Sequence, residues 1–238
     1  MRYIIFILCM FALPSFGQIT RVVSGSAQAA STTRIDSATL TLNTTAATVL
    51  HVMLSYAQYN QSTTPTIVDN TGSTWILDTT VKLSLDVANM SWHCSPCSTS
   101  VSHNIVVVAT RQYPTFYLDG TTGESNVRDG SKGKTSSTTS ITSATLTPTQ
   151  NNCIVYSFCN TSNQNPTLSA AGFTQVFNNG GSSSGHAGLA VAYSIQTVAT
   201  SVAPTWNISS ANSMTTITNA FRATPVNTRC TTCDGFDD

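Results

Sequence analysis

The chain has 238 residues, only 8 % of them charged, and ten basic residues balance ten acidic residues. An ordinary soluble domain carries about 25 % charged residues. A nucleic-acid-binding surface needs a basic field that this composition does not supply, so we expect no nucleic acid partner. Ser, Thr and Val are abundant whereas Glu and Lys are scarce, which favours strands over helices. The composition therefore predicts an all-β protein.

Residues 1–17 have the pattern of a secretory signal peptide. Arg2 precedes an apolar run, and Ser15 and Gly17 are the small residues expected before a cleavage site at Gln18. The apolar run is too short to span a bilayer, and no later stretch stays apolar for 18 residues. We expect an exported chain without a transmembrane anchor in its mature form, secreted or located at a cell surface or in a viral particle.

Two stretches about 106 residues apart resemble each other. Residues 35–41 (IDSATLT) and 141–147 (ITSATLT) agree at six of seven positions, and a strand-like run follows each. Turn-forming Asn, Asp and Gly recur at short intervals, as in sandwiches and jelly rolls. We therefore predict two β-sandwich or jelly-roll units, tandem or intertwined, related by an internal duplication. They cover residues 34–118 and 141–223.

Three segments lie outside the two predicted units. Residues 18–33 are weakly patterned and are predicted to form an N-terminal arm. Residues 119–140 are rich in Gly, Ser and Thr, which is typical of a polar linker. Residues 224–238 form an acidic tail that contains two cysteines.

Strand alternation predicts which side chains form the core. In the first unit Leu50, Val52, Leu54 and Tyr56 alternate with other residues and are predicted to face the core. In the second unit the alternating run that we assign to the same role is Ile154, Tyr156 and Phe158.

Six cysteines follow the signal peptide, and an even number in an exported chain points first to disulfides. Two pairs have Cys-x-x-Cys spacing, which also leaves open a zinc site or a redox-active or free thiol pair. Sequence alone does not choose the pairing. The disulfide candidates are Cys94, Cys97, Cys153, Cys159, Cys230 and Cys233.

Aromatic and amide side chains suggest a glycan-binding surface, although core packing explains the same aromatic residues. The candidates for stacking on sugar rings are Trp75, Trp92, Trp206, Tyr59 and Tyr113. Five asparagines begin Asn-x-Ser/Thr sequons and are candidate glycosylation sites: Asn43, Asn60, Asn89, Asn160 and Asn207. The four histidines show no metal-ligand spacing, and we expect no metal or cofactor.

Residues 65–77 (PTIVDNTGSTWIL) form a turn motif. Asp69 favours a turn, Gly72 supplies a positive φ, and Trp75 caps the core. The motif resembles a signature, Pro-Thr-x-x-Asp followed by Gly-x-Thr-Trp, of duplicated β-sandwich modules in exported bacterial and phage-associated surface or structural proteins. The resemblance implies a sandwich fold and a surface or particle context, and it implies no catalytic residue. The second unit keeps Gly172 but lacks the Asp and the Trp.

These observations together predict a non-catalytic structural or assembly protein of a cell surface, appendage, matrix or viral particle. Its expected partners are further copies of itself or other surface proteins, because near-zero net charge and Thr/Val-rich strand edges favour association. A glycan-binding or adhesive module is the alternative. A secreted glycoside hydrolase is the second alternative, and it requires two carboxylates about 5–10 Å apart beside a substrate.

Overall fold

The computed structural model describes residues 15–28, 37–56, 64–83, 87–109, 114–162, 164–180 and 187–226. The predicted signal peptide, apart from residues 15–17, lies outside this part of the chain. The strands of the first half are β1 (Ser15–Phe16), β2 (Thr20–Gln28), β3 (Ser37–Leu42), β4 (Val49–Tyr56), β5 (Thr66–Asp69), β6 (Trp75–Leu83), β7 (Val87–Cys94), β8 (His103–Val108) and β9 (Thr115–Thr122). Those of the second half are β10 (Glu124–Ser136), β11 (Ser140–Thr142), β12 (Cys153–Ser162), β13 (Thr167–Ser169), β14 (Thr174–Asn179), β15 (Ala187–Gln196), β16 (Thr205–Asn207), β17 (Met214–Ala223) and β18 (Pro225–Val226).

The strands form four antiparallel layers. In the first half a five-stranded sheet, in the order β2-β9-β4-β7-β6, packs on a three-stranded sheet, β3-β8-β5. In the second half the five-stranded sheet is β10-β17-β12-β15-β14 and the three-stranded sheet is β11-β16-β13. The two five-stranded sheets face each other, with β4 against β15 and β7 against β17. The three-stranded sheets are therefore the outer layers.

The fold confirms the all-β prediction, and both halves have the same strand order. Position by position, β2 to β9 correspond to β10 to β17 in both the five-stranded and the three-stranded sheets. The contacts between the halves also correspond. The edge strand β6 of the first half lies beside β10 of the second half. The equivalent strands β14 and β2 are joined by the hydrogen bond between Asn179 and Gln28. The origin of this likeness in a duplication stays a prediction.

Three apolar layers hold the sheets together. In the first half Leu50, Val52, Leu54 and Tyr56 pack beneath the three-stranded sheet, as alternation predicts. In the second half Ile154, Tyr156 and Phe158 are core residues, as predicted, but the core that they enter lies between the two halves. On the opposite face of β12, Cys159 packs beneath the three-stranded sheet of its own half, and Cys153 and Val155 pack with Leu146 and Val202. Since the five-stranded sheets are covered on both faces, alternation does not identify which face is which.

The predicted arm and linker are both strands. Residues 20–28 form β2, which pairs with β9 at the edge of the first five-stranded sheet. Residues 119–140 contain the end of β9 and all of β10, which pairs with β17 along most of its length. The glycines that suggest a linker lie where neighbouring atoms leave no room for a larger residue. For example, a Cβ on Gly130 would lie 2.8 Å from Leu146 Cδ1. The tail begins with β18, which pairs with β1, and residues 227–238 lie outside the described residues.

Candidate functional site

The turn between β5 and β6 is built around the carboxylate of Asp69. Its Oδ1 accepts hydrogen bonds from the backbone N–H groups of Thr71, Gly72 and Ser73 at 2.7–3.1 Å. Its Oδ2 accepts the indole N–H of Trp75 at 3.0 Å. Gly72 has a φ of 77°, the left-handed conformation that favours glycine. The residues of the sequence motif therefore meet in one turn, where they form a structural element.

His103 anchors this turn to the three-stranded sheet. Its ring is fully buried, with Nε2 3.2 Å from Asp69 Oδ2 and Nδ1 2.9 Å from Thr44 Oγ1. Burial alone would raise the pKa of Asp69, but hydrogen bonds from Ser73, Trp75 and Thr71 lower it well below its usual range. The carboxylate is therefore ionised at neutral pH and acts as an acceptor for its neighbours.

A second polar cluster lies between the two five-stranded sheets and is centred on Asp119. This carboxylate is completely buried on β9. It accepts two hydrogen bonds from the Arg21 guanidinium on β2, both 2.7 Å long, and one of 2.7 Å from the Tyr156 hydroxyl on β12. The guanidinium carbon of Arg21 also lies 4.2 Å from the centre of the Tyr193 ring. Asp119 thus joins the edge strand β2 to the second half.

Two histidine–carboxylate pairs belong to the same interface. His51 Nε2 lies 2.9 Å from Glu124 Oε2, which also accepts a hydrogen bond from Thr121. His93 Nδ1 lies 2.7 Å from Asp78 Oδ1. Burial would lower the pKa of His51, but Glu124, with Asp78 and Asp119 further away, raises it above its usual value. The His51 ring beside Glu124 is therefore biased toward its protonated form.

This cluster is closed to substrates. The space bounded by His51, Asp78, Tyr156 and Phe221 is too small for a water molecule. The side chains of Asp78, Asp119 and Glu124 are at most 1 % exposed. Asp119 lies within the buried strand β9. These carboxylates hold the sheets together and do not flank a cleft, as glycoside hydrolysis would require.

Amide side chains complete the contact between the halves. Asn89 Nδ2 donates to the carbonyl of Thr215 at 2.9 Å, and Asn160 Nδ2 donates to that of Ala88 at 2.7 Å. Both asparagines are fully buried, so the prediction that they are glycosylation sites is wrong for the folded chain. Asn43 is exposed and Asn207 is half-buried. Asn60 lies outside the described residues.

The cysteine predictions divide into three outcomes. Cys94 and Cys97 form a disulfide, with Cα atoms 5.0 Å apart, so this pair does not offer thiolates to zinc. Cys153 and Cys159 are buried free thiols, contrary to the disulfide prediction. Burial, with Asp129 nearby, raises the pKa of Cys153 to about 11, and burial raises that of Cys159. Both thiols stay protonated at neutral pH and are poor nucleophiles. Cys230 and Cys233 lie outside the described residues.

The tryptophans do not form the predicted sugar platform. Trp92 and Trp206 are 4 % and 0 % exposed, and the Trp206 indole N–H donates to Ser157 Oγ inside the second half. The half-buried Trp75 packs on the core of the first half and is held by Asp69. Because Trp92 and Trp206 are buried in the core, neither ring has a free face on which a sugar could stack. The prediction that these two residues bind a glycan is wrong. Tyr59 and Tyr113 lie outside the described residues.

Among the residues that the structure describes, the strands of the three-stranded sheets place no charged side chain on their outer faces. In the first half, the strand register places Thr39, Val106 and Val68 in one row and Ser37, Val108 and Thr66 in the next. Val68 and Val108 are 51 % and 37 % exposed. In the second half, the corresponding rows consist of hydroxyl and amide side chains: Ser140, Asn207 and Thr167, and then Thr142, Thr205 and Ser169.

Sequence reasoning missed the ionisable cluster between the sheets. One signal was present, because charged residues are rare in this chain and several of them fall within apolar strands. Asp119 interrupts an apolar strand, and Glu124 is the only glutamate in the chain. Their partners are distant in sequence: Arg21 is 98 residues from Asp119 and His51 is 73 residues from Glu124, distances that no local pattern bridges.

No protein-family model, curated protein or solved structure matches this chain. Within the described ranges, no helix is long and apolar enough to cross a membrane. The resemblance carried by residues 65–77 therefore stays a prediction.

Proposed function

We propose that this protein is a non-catalytic structural subunit of an exported surface or particle assembly. In this proposal, copies of the chain associate through the outer faces of the three-stranded sheets. The observation that carries the proposal is the pair of uncharged outer faces, one on each outer layer of the molecule.

The chemistry of the first-half face suits contact with another protein surface. Five of the six residues in its two rows are β-branched, and such side chains are stiff and lose little rotamer freedom on association. Val68 and Val108 offer exposed apolar area, and no charge on Thr39, Thr66 or Val106 has to be desolvated. Charged side chains usually protect exposed sheet edges against association, and the described residues of this face include none.

The size of the face predicts a weak individual contact. Three strands about 4.8 Å apart and about six residues long cover roughly 300 Å². A stable pairwise interface needs about 800 Å² from each partner. A single contact is therefore expected to be weak, and an assembly gains stability when each copy uses both outer faces or neighbouring surfaces.

The test is the mass of the purified chain as a function of concentration, measured by light scattering and sedimentation velocity. We expect the mass to rise above the 25.2 kDa of one chain as concentration increases. Val68→Lys places a charge on the first-half face and should hold the mass near one chain. Thr142→Lys tests the opposite face in the same way.

Val101→Lys is the matched control, because Val101 is 72 % exposed in the same half but lies outside the sheet face. It should associate like the unmodified chain. A mass that stays at one chain across the concentration range contradicts the proposal. Equal association of the Val68→Lys and Val101→Lys variants would also contradict it.

A further inference from the structure

An open groove of about 400 Å³ lies in the second half, between the β13–β14 turn and the end of β15 with the loop that follows it. Gly172 and Phe173 form the turn side, and Ser194, Gln196 and Val198 are among the residues on the other side. Its volume falls in the range of about 300–1,000 Å³ that is usual for small-molecule sites.

The topologically equivalent place in the first half is closed. There the β5–β6 turn, residues 70–74, is bonded to the loop after β7, residues 95–102. Ser95 N–H donates to the carbonyl of Thr74 at 2.9 Å. Ser98 N–H donates to Ser73 Oγ, and the carbonyl of Ser98 accepts hydrogen bonds from the hydroxyl groups of Ser73 and Thr71. The Cys94–Cys97 disulfide lies in the same loop.

In the second half the equivalent loop is fixed to another part of the chain. Val202 and Leu146 exchange two backbone hydrogen bonds of 2.8 and 2.9 Å. Ala199 N–H donates to Asn151 Oδ1 at 2.8 Å. The first-half loop is held in a comparable way, since Thr44 N–H donates to the carbonyl of Ser100 at 2.9 Å. The first-half position is closed by the bonds between residues 71–74 and residues 95–98.

The lining is uncharged and amphipathic. None of its eleven residues is ionisable. Ser194, Gln196 and Thr200 supply hydroxyl and amide groups, while Phe173 and Val198 supply apolar surface. The half-buried ring of Phe173 packs on the core beneath it, which fixes its position.

We propose that this groove binds a short, neutral carbohydrate segment. Sugar rings combine hydroxyl groups with apolar C–H faces, which match the amide and hydroxyl groups and the aromatic and aliphatic surface of the lining. An anionic or cationic ligand would find no opposite charge in the groove. The proposal concerns residues other than the outer sheet faces, so it holds or fails independently of the assembly proposal.

The experiment screens the purified chain on an array of neutral and charged glycans and then titrates a neutral tetrasaccharide hit by calorimetry. We expect binding to neutral glycans and at least a tenfold loss of affinity in Val198→Trp, because the indole would fill the groove. Val198 is 59 % exposed, so the substitution leaves the core intact. Val101→Trp is the matched control, since it adds the same ring to the corresponding loop of the first half.

Three results would overturn the proposal. They are the absence of binding to any neutral glycan on the array, a preference for charged glycans, and equal affinity in the Val198→Trp and Val101→Trp variants. Circular dichroism of both variants confirms that each is folded, so a loss of affinity reports on the groove itself.

Discussion

The most exacting test of the buried interface is Asp119→Asn. The change keeps the shape of the side chain but removes the charge that pairs with Arg21 and accepts the Tyr156 hydroxyl, each at 2.7 Å. Breaking a buried ion pair on one side costs about 3–5 kcal/mol. Since a domain is stable by about 5–15 kcal/mol, we expect a large fall in the free energy of unfolding, measured by urea denaturation with circular dichroism.

Asp129→Asn is the control, because Asp129 is a half-buried carboxylate away from the interface and its hydrogen bonds among the described residues go to Thr149. It should cost less than about 1 kcal/mol. A double-mutant cycle of Asp119→Asn with Tyr156→Phe should show coupling of about 1 kcal/mol, since the two groups share one hydrogen bond across the halves. If Asp119→Asn costs no more than Asp129→Asn, the reasoning about this cluster is refuted.

Two further variants test the other carboxylate sites. Asp69→Ala should cost about 3 kcal/mol, because it leaves several turn donors without an acceptor. The pKa of Asp69 is lowered on folding, so its contribution is present above about pH 4 and is lost as pH falls further. As pH is lowered from 6 to 2, the urea midpoint should fall in the unmodified chain but fall less in the variant, and parallel curves would contradict this. The pKa of His51 is raised on folding, so its contribution is full below about pH 6.5 and is lost as pH rises through the raised value. His51→Gln should flatten the stability curve above pH 6.5, and an unchanged slope would refute the assignment.

Local patterns predicted the features that depend on neighbouring residues. The alternation of Leu50, Val52 and Leu54 located a core face correctly, because one strand fixes which side chains share a side. The Asp69–Trp75 turn was also predictable, since its donors and its acceptor are within six residues of each other. Asp69, Gly72 and Trp75 are close to each other both in sequence and in space.

The remaining features depend on residues that are distant in sequence. Residues 119–140 are polar and rich in glycine, yet β10 is a strand because β17 supplies a pairing partner about 90 residues away. Burial of both faces of β12 hides the direction of Ile154 and Tyr156 from any alternation rule. The predicted sugar platform failed for the same reason, because only the packed structure shows Trp92 and Trp206 inside the core.

The two halves share one strand order but differ in the side chains that they place at the interface and at the equivalent turns. The first half contributes most of the ionisable groups of the interface, including His51, His93 and Asp119, whereas the second half meets them mainly with rings and aliphatic side chains such as Tyr156 and Phe221. Such groups are costly to bury unless each is paired. Asp119 pairs with Arg21 within the first half and also accepts the hydroxyl of Tyr156 from the second half, and His51 pairs with Glu124 of the second half. At the equivalent turns the first half is closed by the Asp69 network and a disulfide, while the second half, which lacks that Asp and Trp, leaves a groove. In our proposals the closed half supplies a rigid assembly face, and the open half supplies the position where a ligand is bound.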